Sequence, residues 1–288
     1  PDLSPTIPFA LFALFQLKFA IITPALVTGA FAERVRFSAY LLFIVLFSIF
    51  IYTPLAHWTW HPQGFLRVWG VLDFAGGTVV HMSAGFAALA GAMALGRRKI
   101  HVEKKGQAQP GNIPFILLGT GMLWFGWFGF NAGSALAANE VAVLAFLTTN
   151  TASATAMLGW ILYDAIQGRK PSATGAAIGA VVGLVAITPA AGYVTVGASI
   201  LIGLAASVVS NFAVHWKNKS TLDDTLDVFP CHGVGGIVGM LATGIFANRV
   251  GLIYGETRTF LMHLVGLVIV AAFSFGGSYL LYKLVNLV

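Results

Sequence analysis

The chain has 288 residues, of which 58% are hydrophobic and 9% charged, with a formal net charge of +6. A soluble domain carries roughly 25% charged residues, so this chain lacks the polar groups to cover a surface in water, and its apolar runs reach the ~20 residues that a bilayer crossing needs. That excludes a soluble globular domain; the basic balance reads as loop charge of a membrane protein rather than a nucleic-acid surface, and the lone Cys231 excludes a disulfide framework and a multi-cysteine zinc site.

Apolar runs between charged or Pro/Gly punctuation predict nine membrane spans. The first, 8 to 31, follows Pro1-Asp2-Leu3-Ser4-Pro5, which has no initiator Met and no charged stretch before the apolar run. No signal peptide is expected there, and the chain reads as an excised piece. This span holds Lys18 beside Phe19. The second, 38 to 60, closes on Ala56-His57-Trp58-Thr59-Trp60, and the third, 74 to 96, follows Asp73 and carries His81. The fourth, 114 to 137, contains Trp127, Phe130 and Ser134; the fifth to seventh run 141 to 165, 172 to 190 and 193 to 215. The eighth, 229 to 247, follows Asp224 and Asp227 and carries His232, and the ninth runs 260 to 284. Short connections predict alternating directions and one domain over 1–288. Strand-like alternation is absent, and helices satisfy every backbone group internally, as hydrocarbon demands. The fold class is all-α integral membrane.

Orientation follows from Lys and Arg, which gather in cytoplasmic loops. One side holds Arg34, Arg36, Arg97, Arg98, Lys99, Lys104, Lys105, Arg169, Lys170, Lys217, Lys219 and Lys283; the other holds Arg67, Arg249 and Arg258. The first span is therefore expected to run inward and the C-terminus to lie in the cytoplasm, in a cell (inner) membrane.

Two spans carry one device: Asp73 eight positions before His81, and Asp224 eight positions before His232. Alternating topology makes these helices antiparallel with both histidines near mid-membrane, as an inverted repeat predicts for a functional site. Small residues flank each histidine, Gly77 and Gly85 around His81 and Gly235, Gly236 and Gly239 around His232, so the helices can approach closely. One imidazole can donate to the other's bare nitrogen. The alternative is that each histidine bonds a carbonyl and merely holds helices together; two in matched positions favour function, because intramembrane ionisable residues are functional by default. For Asp73, Asp224 and Asp227, capping of the following helix is favoured over contact with a substrate.

The segments Gly29–Arg34, Asp73–His81, Gly126–Ser134 and His232–Gly236 resemble signatures of the ammonium transporter (Amt/Mep/Rh) family, and of its Amt branch. The resemblance covers essentially the whole chain. It implies an eleven-helix fold of two inverted five-helix halves, a homotrimer with one narrow pore per subunit, and a cytoplasmic PII-type regulator as a partner. This chain resembles helices three to eleven, without the first two helices and the C-terminal tail. By the same resemblance, His81 and His232 are the twin pore histidines, and Phe19 and Phe130 the stacked pair gating the outer mouth. Trp60, Ser134 and Phe19, with Trp127 nearby, form the outer recruitment site, and Asp73 is the buried carboxylate needed for activity.

Ammonium carries four N–H donors and a charge, so moving it into an apolar pore is prohibitive, whereas ammonia loses far less. An aromatic cage can attract the cation and a serine hydroxyl can accept its hydrogen bond, which potassium cannot offer. The expected function is ammonium/ammonia transport; the alternative is an Amt-type sensor that binds ammonium and signals to a cytoplasmic domain. A Rh-like gas channel is disfavoured by the tryptophan-rich outer mouth. No metal, cofactor or nucleophile-base constellation of an enzyme is indicated. Lys18, about 100° round the helix from Phe19, is expected to snorkel or pair away from the pore.

Overall fold

The computed structural model describes residues 3–103 and 110–287, and among these it contains helices and turns but no strand. Lys104 and Lys105 of the charge count, and Pro1 and Asp2 of the opening segment, lie outside the described residues.

The first predicted span forms α1 (Phe9–Phe31). Pro24 inside it has no N–H to give, and one residue earlier the Thr23 hydroxyl donates to Phe19 O at 2.7 Å. The second forms α2 (Phe37–Phe47), a wide turn at Ser48–Tyr52, and α3 (Thr53–Trp60), followed by the short α4 (Phe65–Trp69). A second wide turn, Gly77–Met82, opens α5 (Ser83–Leu95), after which comes α6 (Lys99–Glu103). Then follow α7 (Ile113–Gly133), α8 (Glu140–Ile166), α9 (Ala173–Ile187) and α10 (Val196–Lys219). A third wide turn, Phe229–Val234, opens α11 (Gly235–Phe246), and α12 (Thr257–Val285) closes the order. Helices α7 to α10 each begin at a polar residue, Asn112, Asn139, Ser172 and Thr195, whose side chain accepts an amide of the first turn.

Among the described residues, eight helical stretches are long and apolar enough to cross a membrane, so the chain is a multi-pass membrane protein. The exception is α9, whose 15 residues fall short of the predicted span 172 to 190. Pro189 cannot supply the N–H that would continue the helix. Packed among α7, α8, α10 and α11, α9 meets protein rather than lipid and need not span.

The span Gly77–Leu95 is the most deeply buried, held between α1, α12 and the turn Phe229–Val234. It crosses the eighth span in antiparallel sense: a Cβ on Gly236 would sit 3.0 Å from Gly77 O, whereas one on Gly85 would strike the backbone of Gly233. Helix α7 lies at the periphery with Phe115 70% and Phe125 78% exposed, the apolar surface that hydrocarbon contact requires.

The loops sort by charge at the two ends. Arg98 grips Asp223 through two guanidinium nitrogens, each at 3.0 Å, and Arg34 reaches Gly96 O, Ala30 O and Asp223 O around the same point. Burial pushes the Asp223 carboxyl up, but the bonds from Arg98 and the charge of Arg34 outweigh it and hold it below the usual carboxylate range. At the opposite end, Arg67 donates to Trp60 O at 3.1 Å near Asp73.

Candidate functional site

Both histidines sit in wide turns, where hydrogen bonds skip one residue more than in an α-helix and the backbone is re-aimed. Gly76 enters the first turn at φ +124°, a conformation that costs an L side chain heavily. Asp73 holds that turn: Oδ1 accepts from the amides of Gly76 and Gly77, each at 2.7 Å, and Oδ2 from the amide and hydroxyl of Thr78 at 2.7 and 2.5 Å. Those four bonds fill the ~4 lone-pair sites of a carboxylate, so Asp73 orders the turn while lining the cavity beside it.

Asp224 stands in the matching place, its Oδ2 accepting the Phe229 amide at 2.7 Å, but its buried Oδ1 has no partner among the described residues. Burial, with Asp227 adding repulsion, raises its carboxyl to about 6 against the pull of the Phe229 amide and Lys217. Asp227 departs from the capping expectation. Its backbone turns left-handed at φ +58°, and its carboxylate meets Lys217 Nζ at 2.6 Å instead of a helix amide.

The two imidazoles meet. His81 Nδ1 and His232 Nδ1 are 3.3 Å apart, with ring centroids at 5.3 Å and planes at 33°. Their partners assign the protons. The Thr188 hydroxyl donates to Leu184 O at 2.7 Å and accepts the Trp127 indole N–H at 2.9 Å. His81 Nε2, 3.4 Å from the same oxygen, must therefore donate to it. That leaves His81 Nδ1 bare, so His232 supplies the proton between the rings from its own Nδ1, and His232 Nε2 is the unprotonated nitrogen.

Above His81 lies an aromatic plug. Phe130 and Trp127 both stack against the imidazole, at 6.0 and 5.4 Å between centroids. Phe19 meets Phe130 edge-on at 4.7 Å and 60°, which replaces the expected parallel stack with an edge-to-face contact. Beyond Phe19 opens a cavity of about 780 Å³ lined by Phe19, Trp60, Asp73 and Ser134 among others. Trp60 fixes one wall, its indole N–H bonded to Asp73 O at 3.0 Å and its ring 5.4 Å from Phe19. The Ser134 hydroxyl donates to Phe130 O at 2.8 Å, which leaves its lone pairs free to accept.

Trp127 does not belong to that cavity. It is 5% exposed and lies beside His81, on the far side of the Phe19–Phe130 contact from the expected recruitment position. Lys18 is exposed and takes no part in lining the cavity, while Phe19 beside it is buried. Sequence reasoning missed Thr188, whose only local signal is its place before Pro189 at the end of a short small-residue helix. It also missed Phe15, which meets Phe19 edge-on at 4.9 Å, and Tyr193 and Gln16 in the cavity wall.

The model of the Ammonium Transporter Family matches residues 3–288. The chain is 47% identical to the ammonium transporter of Bacillus subtilis over 99% of this chain and 72% of that protein. The crystal structure of Candida albicans Mep2 superposes with a TM-score of 0.90 at 39% identity, covering 96% of this chain and 64% of that one. A solved structure described as a sensor Amt protein superposes with a TM-score of 0.89 at 32% identity, covering 96% and 72%. The chain thus spans between 64% and 72% of the lengths of these relatives.

Proposed function

The chain belongs to the ammonium transporter family, and from that premise we propose that it moves ammonium nitrogen across a membrane through the path marked by His81 and His232. The basic end, around Arg34, Arg98 and Lys217, faces the cytoplasm, by the bias of Lys and Arg toward cytoplasmic loops. The cavity at the other end is the entrance.

Ammonium is drawn there to the ring faces of Trp60 and Phe19, each such contact worth roughly 0.5–2 kcal/mol, and donates to the open lone pairs of Ser134. The cation cannot pass the Phe19–Phe130 contact with its charge and four donors unmet. It gives up a proton to the water of the outer cavity, and ammonia crosses the plug to the histidines. Of the four ring nitrogens, three are engaged by Thr188 and by each other. His232 Nε2 is the open lone pair for ammonia's passage or for a proton following it.

The observation that carries this reading is the 3.3 Å contact of two buried imidazoles directly beneath the aromatic plug. Two histidines serving only as helix glue would have no reason to stack under a plug that closes a large polar-rimmed cavity. Homotrimer formation fits the exposed apolar flank of α7 and belongs to the same proposal.

The test is ammonium-driven flux into proteoliposomes carrying the full chain, comparing wild type with His81→Ala and Ser134→Ala. Flux that His81→Ala abolishes and that Ser134→Ala weakens at low ammonium supports conduction. A wild type that binds ammonium specifically without passing it favours the sensor reading, to which the similarity to a sensor Amt protein lends weight.

A further inference from the structure

His263 is a buried histidine that the permeation path does not use. It sits in the second turn of α12, is fully buried, and lies outside the entrance cavity. Its Nε2 is 2.9 Å from the amide nitrogen of Leu72 and 3.0 Å from the carbonyl oxygen of the same residue. Among the described residues, these are the only hydrogen-bond contacts of the Leu72 peptide groups, and buried backbone groups require a partner. Two glycines make room for the ring. A Cβ on Gly266 would come 3.3 Å from Val71, and one on Gly244 would come 2.7 Å from His263 Nδ1.

Leu72 stands at a junction. Next in the chain, Asp73 O receives the Trp60 indole N–H, and the Asp73 carboxylate receives the four bonds of the turn that carries His81. One residue further, the Phe74 amide donates to Pro189 O at 3.0 Å. The stretch 72–74 is thus tied to α12 at one end and to the residues after α9 at the other. Cutting the first tie frees the backbone that sets both Trp60 and the turn of His81.

We propose that His263 is a positioning residue for the pore. Through Leu72 it fixes Asp73, and through Asp73 it fixes the Trp60 wall of the entrance and the turn that presents His81. The inference rests on the transport reading above, but the backbone order it describes is measurable without flux. The chemistry of the contact shapes the test. A neutral imidazole nitrogen either accepts the Leu72 N–H or donates to Leu72 O, not both at once, whereas a glutamine amide carries an acceptor and a donor side by side.

Two measurements on the intact protein test this: hydrogen exchange over Leu72–Thr78, and the concentration dependence of ammonium flux in proteoliposomes. His263→Leu keeps the bulk and loses the bond. It should speed exchange in that stretch about three- to tenfold, the factor that one net hydrogen bond represents, and raise half-saturating ammonium by a similar factor, with exchange in α8 unchanged. His263→Gln should bring both quantities back to within about twofold of wild type. A leucine variant that melts lower but keeps wild-type exchange and half-saturation would reduce His263 to packing and overturn the proposal. A glutamine variant as impaired as the leucine one would assign the effect to the shape of the ring and overturn it equally. A wild type that passes no ammonium would sink the transport reading instead, and exchange alone would then decide whether His263 fixes Asp73.

Discussion

Gly85 is one helical turn beyond His81, and a methyl group added there is the sharpest test of the crossing that joins the histidines. Its Cβ would strike the N and Cα of Gly233 and come within 3.1 Å of His232 C, all backbone atoms that no rotamer change can move. Carbon atoms rest at about 3.5–4.0 Å, so α5 and the turn Phe229–Val234 must part by roughly 1 Å. Overpacking of this kind costs about 1–3 kcal/mol. The same displacement stretches the 3.3 Å contact between His81 and His232, already near the limit of a hydrogen bond, beyond it. Gly85→Ala is therefore expected to remain folded, melt a few degrees lower, and lose at least about tenfold in ammonium flux, read by a pH-sensitive dye in proteoliposomes. Gly276→Ala on α12, where a Cβ meets nothing within 4 Å, is the control and should change neither quantity. A Gly85→Ala protein with wild-type flux and melting would refute the close crossing.

Thr188→Val keeps shape but removes the acceptor of both the Trp127 and His81 N–H groups; two buried donors left unmet at about 1–3 kcal/mol each should lower melting, and flux should fall more than in Thr188→Ser, which keeps the oxygen. Asp73→Asn turns one of the two oxygens that receive four hydrogen bonds into a donor, so about 2–4 kcal/mol of stability should disappear, seen as early thermal unfolding. Asp224, raised to about 6 in the fold against about 3.9 unfolded, binds its proton more tightly when folded, so its contribution is present below pH 4 and lost as pH rises through 6. Asp224→Asn should accordingly match wild type in melting near pH 4 and exceed it by up to about 3 kcal/mol near pH 7, while an unchanged gap across that range would show the carboxyl to be charged throughout.

What the sequence disclosed follows from which physical signals are local. Apolar length is local, and among the described residues eight of the nine predicted spans have helices long enough to cross; the sixth, 172 to 190, falls short because α9 ends before Pro189 and protein rather than lipid surrounds it. The repeated spacing of Asp73 to His81 and of Asp224 to His232 is also local, and it pointed to two turns that the fold does bring together. A wide turn leaves no mark in hydrophobic periodicity, since it adds one residue to one turn, so the re-aiming of both histidines was invisible. Trp127 was assigned to the outer mouth because it stands in one motif with Ser134. Seven residues of helix separate them by about 10 Å along the axis, enough to carry the indole past the plug to His81. Asp227 was grouped with Asp224 by proximity, but only the fold shows Lys217 facing it.

The repeat itself explains the meeting of the rings but not the direction of their hydrogen bond. Two equivalent imidazoles on an antiparallel crossing could share their proton either way round. The difference comes from what surrounds each histidine. Beside His81, Asp73 is saturated and Thr188, from the end of α9, has its own proton committed to Leu184 O and forces His81 to present a donor at Nε2. Before His232, Asp224 keeps an unmet oxygen, and His232 Nε2 has no hydrogen-bond partner among the described residues. The pair is thus polarised, with His81 Nε2 committed to Thr188 and the lone pair of His232 Nε2 left without a partner among the described residues. Because a single threonine enforces that polarity, a residue outside both repeat motifs sets which ring nitrogen of the pair stays unprotonated.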